Sequence, residues 1–219
     1  MKSIAVYTVL IGAFDTLKSV NPEFKKEADF YLITNQDIRT QDYIINKVVV
    51  HRDNRRASRK YKFNPHIYLP GYKYTIYLDG SIELLKSPLM LVNKYLKHHN
   101  IAVLKHPWRD CIYDELVECR RLGLIGRKGS GKHETFLRMA GYPANNGLTE
   151  NGVMIRRKCV ENARLSSLWY EIYNIYTQRD QLSFCFCTWR LNIKYQLIDG
   201  TVRRTKNYEP SEFLYHPHL

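Results

Sequence analysis

The chain has 219 residues, of which 44% are hydrophobic and 25% are charged, so its composition is that of a globular protein and excludes the disordered and fibrous classes. Its 34 lysines and arginines outnumber 21 acidic residues and leave a net charge of +13, which predicts an anionic partner: nucleic acid, a phosphorylated substrate or an acidic surface. No apolar stretch reaches the roughly 20 residues that a membrane helix needs, and the N-terminus lacks a signal-peptide pattern, so we expect no integral membrane segment and a cytoplasmic location.

The pattern of apolar residues predicts strands that alternate with helices along the chain. In chain order it predicts strands at 4–11, 30–34 and 43–50, a basic helix at 54–63, a strand at 72–78, a helix from the Ser87 cap to about 99, a strand at 101–104, a helix at 110–122, a strand at 153–155, helices at 160–176 and 180–189, and a polar, turn-rich tail from 194. This alternation favours a single α/β domain with a mostly parallel central sheet flanked by helices. The five cysteines form no C-x-x-C pair, which favours buried free thiols.

Residues 126–133 match the spacing of a phosphate-binding G-x-x-x-x-G-K loop, but His133 stands where Ser or Thr would contact Mg²⁺. The segment also follows a predicted helix, whereas such a loop normally follows a buried strand. We therefore interpret it as a mobile basic loop whose Arg127, Lys128 and Lys132 contact phosphates.

Two acidic residues follow predicted strands, Asp15 after the Gly12 turn and Asp79 in an Asp-Gly-Ser turn. The carboxyl ends of strands in an open α/β sheet are where ligands bind. An Asp at such an end, with Gly80 to admit a ligand, can hold a divalent cation between two phosphates. A plain turn or cap at each position is the alternative interpretation.

Basic residues form a second group of candidates. Arg55, Arg59 and Lys62 fall on one face of the predicted helix, either as a solvated face or as a binding site for a nucleotide diphosphate. His106 and Arg109 precede a helix and predict either an anion site or a packed loop. Asp180 opens the last predicted helix, where capping is the alternative to a functional role.

Six segments resemble one known family in their residues and in their order along the chain. They are Y-T-x-x-x-G-x-F-D from 7, R-x-x-S-R-x-Y-K-x-x-P-H from 55, Y-x-Y-x-I-Y-L-D-G-S-I from 72, H-P-x-R-x-C-x-Y-x-E from 106, P-x-N-x-G-L-x-E from 143, and R-D-Q-L-S-F from 179. The chain resembles the glycosyltransferase-like family first catalogued as a domain of unknown function in plant, bacterial and phage proteins. The resemblance implies a GT-A type fold and transfer of a sugar from a nucleotide-sugar donor. It also implies one domain over 1–219, with the donor-binding half at 1–105 and the acceptor-side half and tail at 106–219.

The resemblance further implies roles for single residues. Tyr7, Thr8, Gly12 and Asp15 would line the nucleotide pocket, and Arg55, Arg59 and Lys62 would face the donor phosphates. His106 and Arg109, as the anion site named above, are also expected among the donor-binding residues. Asp79, Gly80 and Ser81 would stand where related enzymes have an Asp-x-Asp motif for Mn²⁺ or Mg²⁺. Because Ser81 replaces the second carboxylate, a tail histidine, His216 or His218, is expected to complete the metal site. Asp180 would orient the acceptor or act as general base, with Glu150 as its competitor. Retaining and inverting chemistry both stay open.

The acceptor follows from charge rather than from these motifs. A donor site explains only part of the +13. Further basic residues would then contact a polyanion: Arg127, Lys128, Lys132, Arg156, Arg157, Arg203 and Arg204. Relatives in tailed phages are proposed to glycosylate the hydroxymethyl group of modified cytosine in DNA, and this compact chain looks like that branch, which would place it in the host cytoplasm.

We therefore expect a glycosyltransferase that moves a pentose or hexose, from a donor favoured to be UDP-linked, onto DNA, without an obligate protein partner. The alternatives are a cytosolic glycosyltransferase of surface-polysaccharide biosynthesis and a catalytically inactive nucleic-acid-binding module.

Overall fold

A seven-stranded sheet forms the centre of the protein. The computed structural model describes residues 2–12, 17–50, 53–205, 209–210 and 212–217. The strands are β1 Ile4–Leu10, β2 Ala28–Thr34, β3 Ile44–Lys47, β4 Tyr74–Leu78, β5 Ile82–Leu84, β6 Ile101–Lys105, β7 Thr149–Arg157, β8 Gln196–Ile198 and β9 Phe213–Tyr215. The large sheet has the order β3-β2-β1-β4-β7-β6-β8, and β5 pairs with β9 in a small separate sheet.

Most neighbouring strands of the large sheet are parallel. The exception is β7, which runs antiparallel to both β4 and β6. The carboxyl ends of β1, β4 and β6 therefore share one edge with the beginning of β7. The candidate site opens at this edge of the sheet.

Helices cover the two faces of the sheet. They are α1 Phe24–Glu27, α2 Asn54–Phe63, α3 Pro65–Tyr68, α4 Pro88–Tyr95, α5 Ile112–Arg121, α6 Arg127–Met139, α7 Val160–Ile175 and α8 Gln181–Arg190. Alternate residues of β1 enter different cores, Ala5, Tyr7 and Val9 on one face and Ile4 and Val6 on the other. A strand with no solvent face is expected to be a nearly continuous apolar run, and in this one only Thr8 interrupts it. None of the helices described here is both long and apolar enough to cross a membrane.

The predicted fold class is confirmed, and the elements with strong periodicity lie where they were expected. The basic helix has the predicted bounds, Asn54–Phe63, and begins where the Asp53 carboxylate accepts a hydrogen bond from the Arg56 amide at 3.0 Å. Ser87 caps α4 in the same way through the Met90 amide. All five cysteines are free, four of them buried and Cys159 half-buried, as predicted.

The prediction of a mobile basic loop at residues 126–133 is wrong, because Gly126 caps α6 and the residues after it form the first half of that helix. Ser130, His133 and Leu137 recur at helical spacing and are buried together on one side of that helix. The glycines that suggested a loop lower helix propensity by about 1 kcal/mol each relative to alanine, and burial of this face offsets that cost. The polar tail also contains two short strands, β8 and β9, that the sequence did not predict.

Candidate functional site

A cavity of about 770 Å³ opens at the carboxyl ends of β1 and β4. We call it the strand-end cavity. Its wall combines a strand end and turn from β1, the first turns of α2, the turn after β4, and the segment before α8. The lining residues are Val9, Leu10, Ile11, Gly12, Asp53, Asn54, Arg55, Ser58, Arg59, Tyr77, Asp79, Gly80, Ser81, Gln178 and Arg179. Its volume lies within the usual range of 300–1,000 Å³ for small-molecule sites.

A buried lysine links two carboxylates at the floor of the cavity. Lys62 is only 1% exposed, and its ammonium donates to Asp180 Oδ2 at 2.6 Å and lies 3.4 Å from Asp79 Oδ1. The same nitrogen lies 4.7 Å from the centre of the Tyr77 ring. Arg59 Nε is 3.4 Å from Asp180 Oδ2. Arg59 and Lys62, which the sequence placed on one helix face, are thus joined to Asp79 and Asp180 in one ionic cluster.

The Asp180 carboxyl is held in its ionised form. Burial alone would raise its pKa, but the Lys62 ammonium and the Arg59 guanidinium together hold the pKa well below its ordinary value. A carboxylate that keeps its charge so strongly is a weak proton acceptor near neutral pH. The geometry therefore favours an orienting role for Asp180 over that of general base.

Asp79 is held at the end of β4 by its neighbours. Its Oδ1 accepts a hydrogen bond from the Tyr77 hydroxyl at 2.5 Å, and its backbone amide donates to the Gly152 carbonyl at 2.8 Å. Gly152 approaches so closely that a β-carbon there would lie 3.2 Å from Asp79 Oδ2 and 2.8 Å from Ile82 Cδ1. The carboxylate is consequently fixed in direction while about a third of its side chain stays exposed to the cavity.

The described residues offer a divalent cation one well-placed carboxylate. No three His, Cys, Asp or Glu side chains in the described part of the chain come together in a group that could hold a metal ion. Asp79 Oδ2 makes no hydrogen bond or ion pair with other described residues, whereas Oδ1 is shared by Tyr77 and Lys62. This set fits a cation such as Mg²⁺, which is commonly held by one or two carboxylates and by the phosphates of the substrate.

The expected histidine ligand is not at this position. His216 Nε2 lies 2.7 Å from Glu83 Oε2, and the His216 amide donates to the Ser81 carbonyl, so the imidazole is directed to β5. The prediction that His216 completes a site with Asp79 is wrong for this reason. His218 and Asp15 lie outside the described residues, whereas Gly80 and Ser81 line the cavity.

Tyr7 and Thr8 lie below the cavity rather than in its wall, which begins at Val9. The Tyr7 hydroxyl donates to the Lys62 carbonyl at 2.7 Å, and Arg156 donates to that carbonyl at 2.8 Å and also contacts the Tyr7 hydroxyl. These two buried residues satisfy the carbonyl at the end of α2, where the helix leaves its last carbonyls without partners. They support Lys62 from behind, so the predicted donor contact of Tyr7 is not formed.

His106 and Arg109 also form a network of their own. Arg109 Nε donates to Glu115 Oε2 at 2.5 Å, and the Arg109 amide donates to His106 Nδ1 at 3.1 Å. Burial lowers the pKa of His106, and since Nδ1 accepts a hydrogen bond, the proton of the neutral ring is on Nε2. Neither residue lines the strand-end cavity, and the predicted anion site takes the form of a packed loop beside it.

Glu150 lies at the beginning of β7, on the same sheet edge as Asp79. Its Oε1 accepts a hydrogen bond from Arg203 at 2.8 Å, and its other oxygen makes no hydrogen bond with the described residues. Glu150 precedes Gly152 by two residues, which places the two backbones roughly 7 Å apart along the strand. Glu150 and Asp180 therefore pair with different cations, Arg203 and Lys62.

The seven cations predicted to contact nucleic acid have different surroundings. Arg127, Lys128 and Lys132 are exposed on α6. The other four are engaged within the protein, and for the buried Arg156 the predicted surface contact is wrong. Arg156 binds the end of α2, Arg157 donates to the Leu96 carbonyl, Arg203 pairs with Glu150, and Arg204 pairs with Glu209.

The sequence analysis missed three residues of the site. Tyr77 precedes Asp79 by two positions, so strand alternation places both on one face, and this signal was available. Arg179 was seen only as the residue before Asp180. Gly152 lies in a stretch of β7 that the sequence did not mark as strand, and nothing in the sequence connects it with Asp79.

Comparisons with known proteins point to glycosyltransferases. A family model described as "TOD1/MUCI70, glycosyltransferase-like domain" matches residues 25–206. The chain is 24% identical over 220 residues to the probable hexosyltransferase MUCI70 of Arabidopsis thaliana, a match that covers 84% of this chain and 36% of that relative. The chain thus spans about a third of the length of this curated relative.

Among solved structures, the apo structure of the bifunctional glycosyltransferase WbbM is similar with a TM-score of 0.51 and 7% identity, over 90% of this chain and 38% of that one. A glycosyltransferase involved in glycosylation of the major capsid of PBCV-1 gives a TM-score of 0.43 and 8% identity, over 89% of this chain and 79% of that one. At 7% identity the likeness to WbbM shows the fold alone, an α/β fold that resembles the GT-A glycosyltransferase structures, as the family resemblance implied.

Proposed function

The chain belongs to the TOD1/MUCI70 glycosyltransferase-like family, and from this premise we propose that it transfers a sugar from a nucleotide-sugar donor to a hydroxyl group of an acceptor. One observation carries the proposal: the strand-end cavity brings an accessible carboxylate, Asp79, together with cations from α2 and from the segment before α8. Carboxylate and cations face the same space, as a diphosphate and its counter-ion require.

The donor diphosphate would bind to the guanidinium groups of the cavity wall. Arg55, Arg59 and Arg179 all line the cavity, and Arg recognises phosphate oxygens in a bidentate way. The family resemblance favours a UDP-linked donor. The Arabidopsis relative is named as a probable hexosyltransferase, which favours a hexose over a pentose.

A Mn²⁺ or Mg²⁺ ion would be held by Asp79 Oδ2 together with oxygens of the diphosphate, with the Ser81 hydroxyl beside it. Such an ion supplies positive charge to the leaving diphosphate. Lys62 keeps Asp79 and Asp180 in place below it. Asp180 orients, and Glu150, whose second carboxylate oxygen makes no hydrogen bond with the described residues, is the candidate to accept the proton of the acceptor hydroxyl.

We propose DNA as the acceptor, at the hydroxymethyl group of modified cytosine. What supports this choice is the position of the exposed cations of α6. A β-carbon at Gly129 would lie 3.9 Å from the Tyr176 carbonyl, and Gln178, two residues further on, lines the cavity. Arg127, Lys128 and Lys132 are thus exposed on the helix that packs against the segment leading to the cavity, and a polyanionic acceptor that reaches the site along α6 would contact them.

The test of donor binding is a thermal-shift screen of UDP and UDP-sugars with and without Mn²⁺. A ligand at a hundredfold its Kd stabilises by about 2.7 kcal/mol. We expect Arg55→Ala and Arg179→Ala to reduce the shift, and Arg204→Ala, whose guanidinium pairs with Glu209 outside the cavity, to retain it.

The test of transfer is incubation with nucleotide sugars and a hydroxymethylated duplex, followed by mass spectrometry of the digested nucleosides. A mass gain of one sugar, lost in Asp79→Asn, is the expected result. Labelling of a lipid-linked or glycan acceptor without any gain on DNA would replace DNA by a polysaccharide acceptor. Salt-dependent DNA binding without turnover of any donor would indicate a binding module instead.

A further inference from the structure

The loop after β6 carries an exposed aromatic ring that Arg203 links to Glu150. Trp108 is 68% exposed. The guanidinium carbon of Arg203 lies 5.6 Å from the centre of its ring and 4.4 Å from the centre of the Tyr215 ring. Arg203 also donates to Glu150, so one side chain connects the indole to the candidate base.

β7 lies between β4 and β6 and connects the loop after β6, which carries Trp108, with the end of β4. Gly152 of β7 contacts Asp79 at the end of β4, and Glu150, two residues before Gly152, binds Arg203. The His106 imidazole, whose ring centre is 5.8 Å from that of Trp108, is influenced by the charges of both Arg179 and Arg203. The loop that carries His106 and Trp108 is therefore near Arg179, a residue of the cavity wall.

We propose that Trp108 and Arg203 form the acceptor subsite, in which a single nucleobase stacks on the exposed indole while Arg203 attracts the adjoining phosphate. This inference rests on the proposed function and adds the residues that would hold the acceptor. A base stacked on Trp108 carries its substituents towards Glu150 and the strand-end cavity. A base can reach this position from a single strand, or from a duplex after it leaves the helical stack.

The charges around the ring favour a nucleic-acid strand over a neutral sugar. Three guanidinium groups, Arg109, Arg179 and Arg203, surround the loop, and the carboxylates of Glu115 and Glu150 are each bound to one of them. Sites for neutral sugars rely on carboxylates and amides that remain available for hydroxyl groups. Stacking next to fixed cations is instead the way in which single-stranded nucleic acid is held.

The experiment measures tryptophan fluorescence and sugar transfer with one probe, a short single-stranded oligonucleotide that carries one 5-hydroxymethylcytosine. The variants are Trp108→Ala, which removes the ring, and Trp108→Phe, which retains an aromatic face. The matched control is Val160→Ala, because Val160 is 76% exposed and lies at the beginning of α7, roughly 24 Å along that helix from the segment near the cavity. UDP-induced stabilisation shows in each variant whether the donor site is intact.

We expect the oligonucleotide to quench the emission of the wild-type protein, and we expect Trp108→Phe to lose this quench while its Kd stays within about threefold. Trp108→Ala should weaken oligonucleotide binding and raise the acceptor KM by on the order of 5- to 150-fold. Val160→Ala should behave like the wild type in both measurements.

The outcomes separate the subsite from the function. Quenching that depends on Trp108 without any sugar transfer would support the subsite and contradict the proposed function. Transfer with an unchanged acceptor KM in Trp108→Ala would overturn the subsite and leave the function intact. Absence of binding, or quenching by neutral maltohexaose but not by the oligonucleotide, would overturn the subsite.

Discussion

Lys62 is the residue on which the candidate site depends, because it is buried and charged at the same time. A buried ammonium is tolerated only when anionic partners compensate for its lost hydration. Asp180 at 2.6 Å and Asp79 at 3.4 Å provide that compensation, and the Lys62 carbonyl is held from behind by Tyr7 and Arg156. The ionic cluster and the helix end are thus one structural unit.

Replacement of Lys62 by methionine is predicted to destabilise the protein by about 3 kcal/mol, because it leaves Asp180 buried with only the longer contact to Arg59. Urea unfolding measures the change. The double variant Lys62→Met with Asp180→Asn should recover part of the loss, since no unpaired charge then remains. Lys60→Met on the exposed face of α2 is the control and should stay within about 0.5 kcal/mol of the wild type. Equal losses in the single and the double variant would contradict the pairing.

Gly152→Ala is predicted to disturb Asp79 directly. The new β-carbon would lie 2.8 Å from Ile82 Cδ1 and 3.2 Å from Asp79 Oδ2, so the carboxylate has to move. We expect stability to fall by about 1–3 kcal/mol, as for other overpacked sites, and donor-dependent stabilisation to fall with it. Gly131→Ala is the matched control, because a β-carbon there meets open space within α6 and should be neutral or stabilising. A Gly152→Ala protein with unchanged stability and donor binding would show that this close approach has no consequence.

At the residue scale, the sequence identified the charged residues of the site better than their roles. Arg59, Lys62, Asp79 and Asp180 were all marked, and they form one cluster. Asp180 was expected to face the acceptor, but its ionised carboxylate is paired with Lys62 and Arg59 inside the protein. Arg156 was expected on the surface and is buried. Its charge alone does not show that it will bind carbonyl groups inside the protein instead of an external anion.

At the scale of elements, α6 supports the segment that forms one wall of the strand-end cavity. His133 Nδ1 lies 2.8 Å from the Thr177 hydroxyl oxygen, and its ring stacks on Tyr176 with centres 5.3 Å apart. Gln178 and Arg179, which follow directly, line the cavity. The packing of α6 therefore fixes the position of two cavity residues.

This contact predicts a dependence of stability on pH. Burial lowers the pKa of His133 from 6.5 to about 4. Between these values the unfolded chain binds a proton that the folded protein does not, so the free energy of unfolding decreases as the pH falls from 7. The expected loss is about 2 kcal/mol between pH 7 and pH 5. It is measured by urea unfolding at a series of pH values.

His133→Gln removes the titrating ring and should flatten that part of the profile. Replacement of the exposed His98 by glutamine serves as the control and should leave the profile unchanged. A His133→Gln protein that still lost the same free energy between pH 7 and pH 5 would assign the effect to other groups.

The elements that the sequence predicted well are those whose periodicity extends over several turns or over a whole buried strand. α7 has apolar residues at helical spacing, the basic residues of α2 recur at spacings of three and four, and β1 is apolar except for Thr8 because both of its faces are covered. α6 was missed because its glycines resemble a loop, while its burial depends on Tyr176 and Thr177, about 40 residues later. β8 and β9 consist of three residues each and exist only through their partners β6 and β5.

At the scale of the whole molecule, the net charge of +13 divides into three groups. Some cations serve the site, as Arg55, Arg59 and Lys62 do. Others are engaged in internal pairs or caps, including four of the seven that were expected to contact DNA. The exposed cations Arg127, Lys128 and Lys132 of α6 form the third group, and the proposal of a DNA acceptor uses them. The composition predicts only that a partner is anionic, and the fold is what separates these three groups of cations.

The simultaneous replacement of Arg127, Lys128 and Lys132 by alanine is predicted to weaken binding to a hydroxymethylated duplex and to make it less dependent on salt. Each phosphate contact contributes about 0.9 to the slope of log K against log salt, so the slope should become shallower by up to about 3. The measurement is the Kd between 50 and 200 mM salt. The matched control removes the same number of positive charges at Lys26, Lys47 and Arg204, each of which pairs with an acid away from the cavity. If both triple variants changed the slope equally, net charge rather than the surface of α6 would govern binding. If neither changed it, DNA would not be the acceptor that these cations serve.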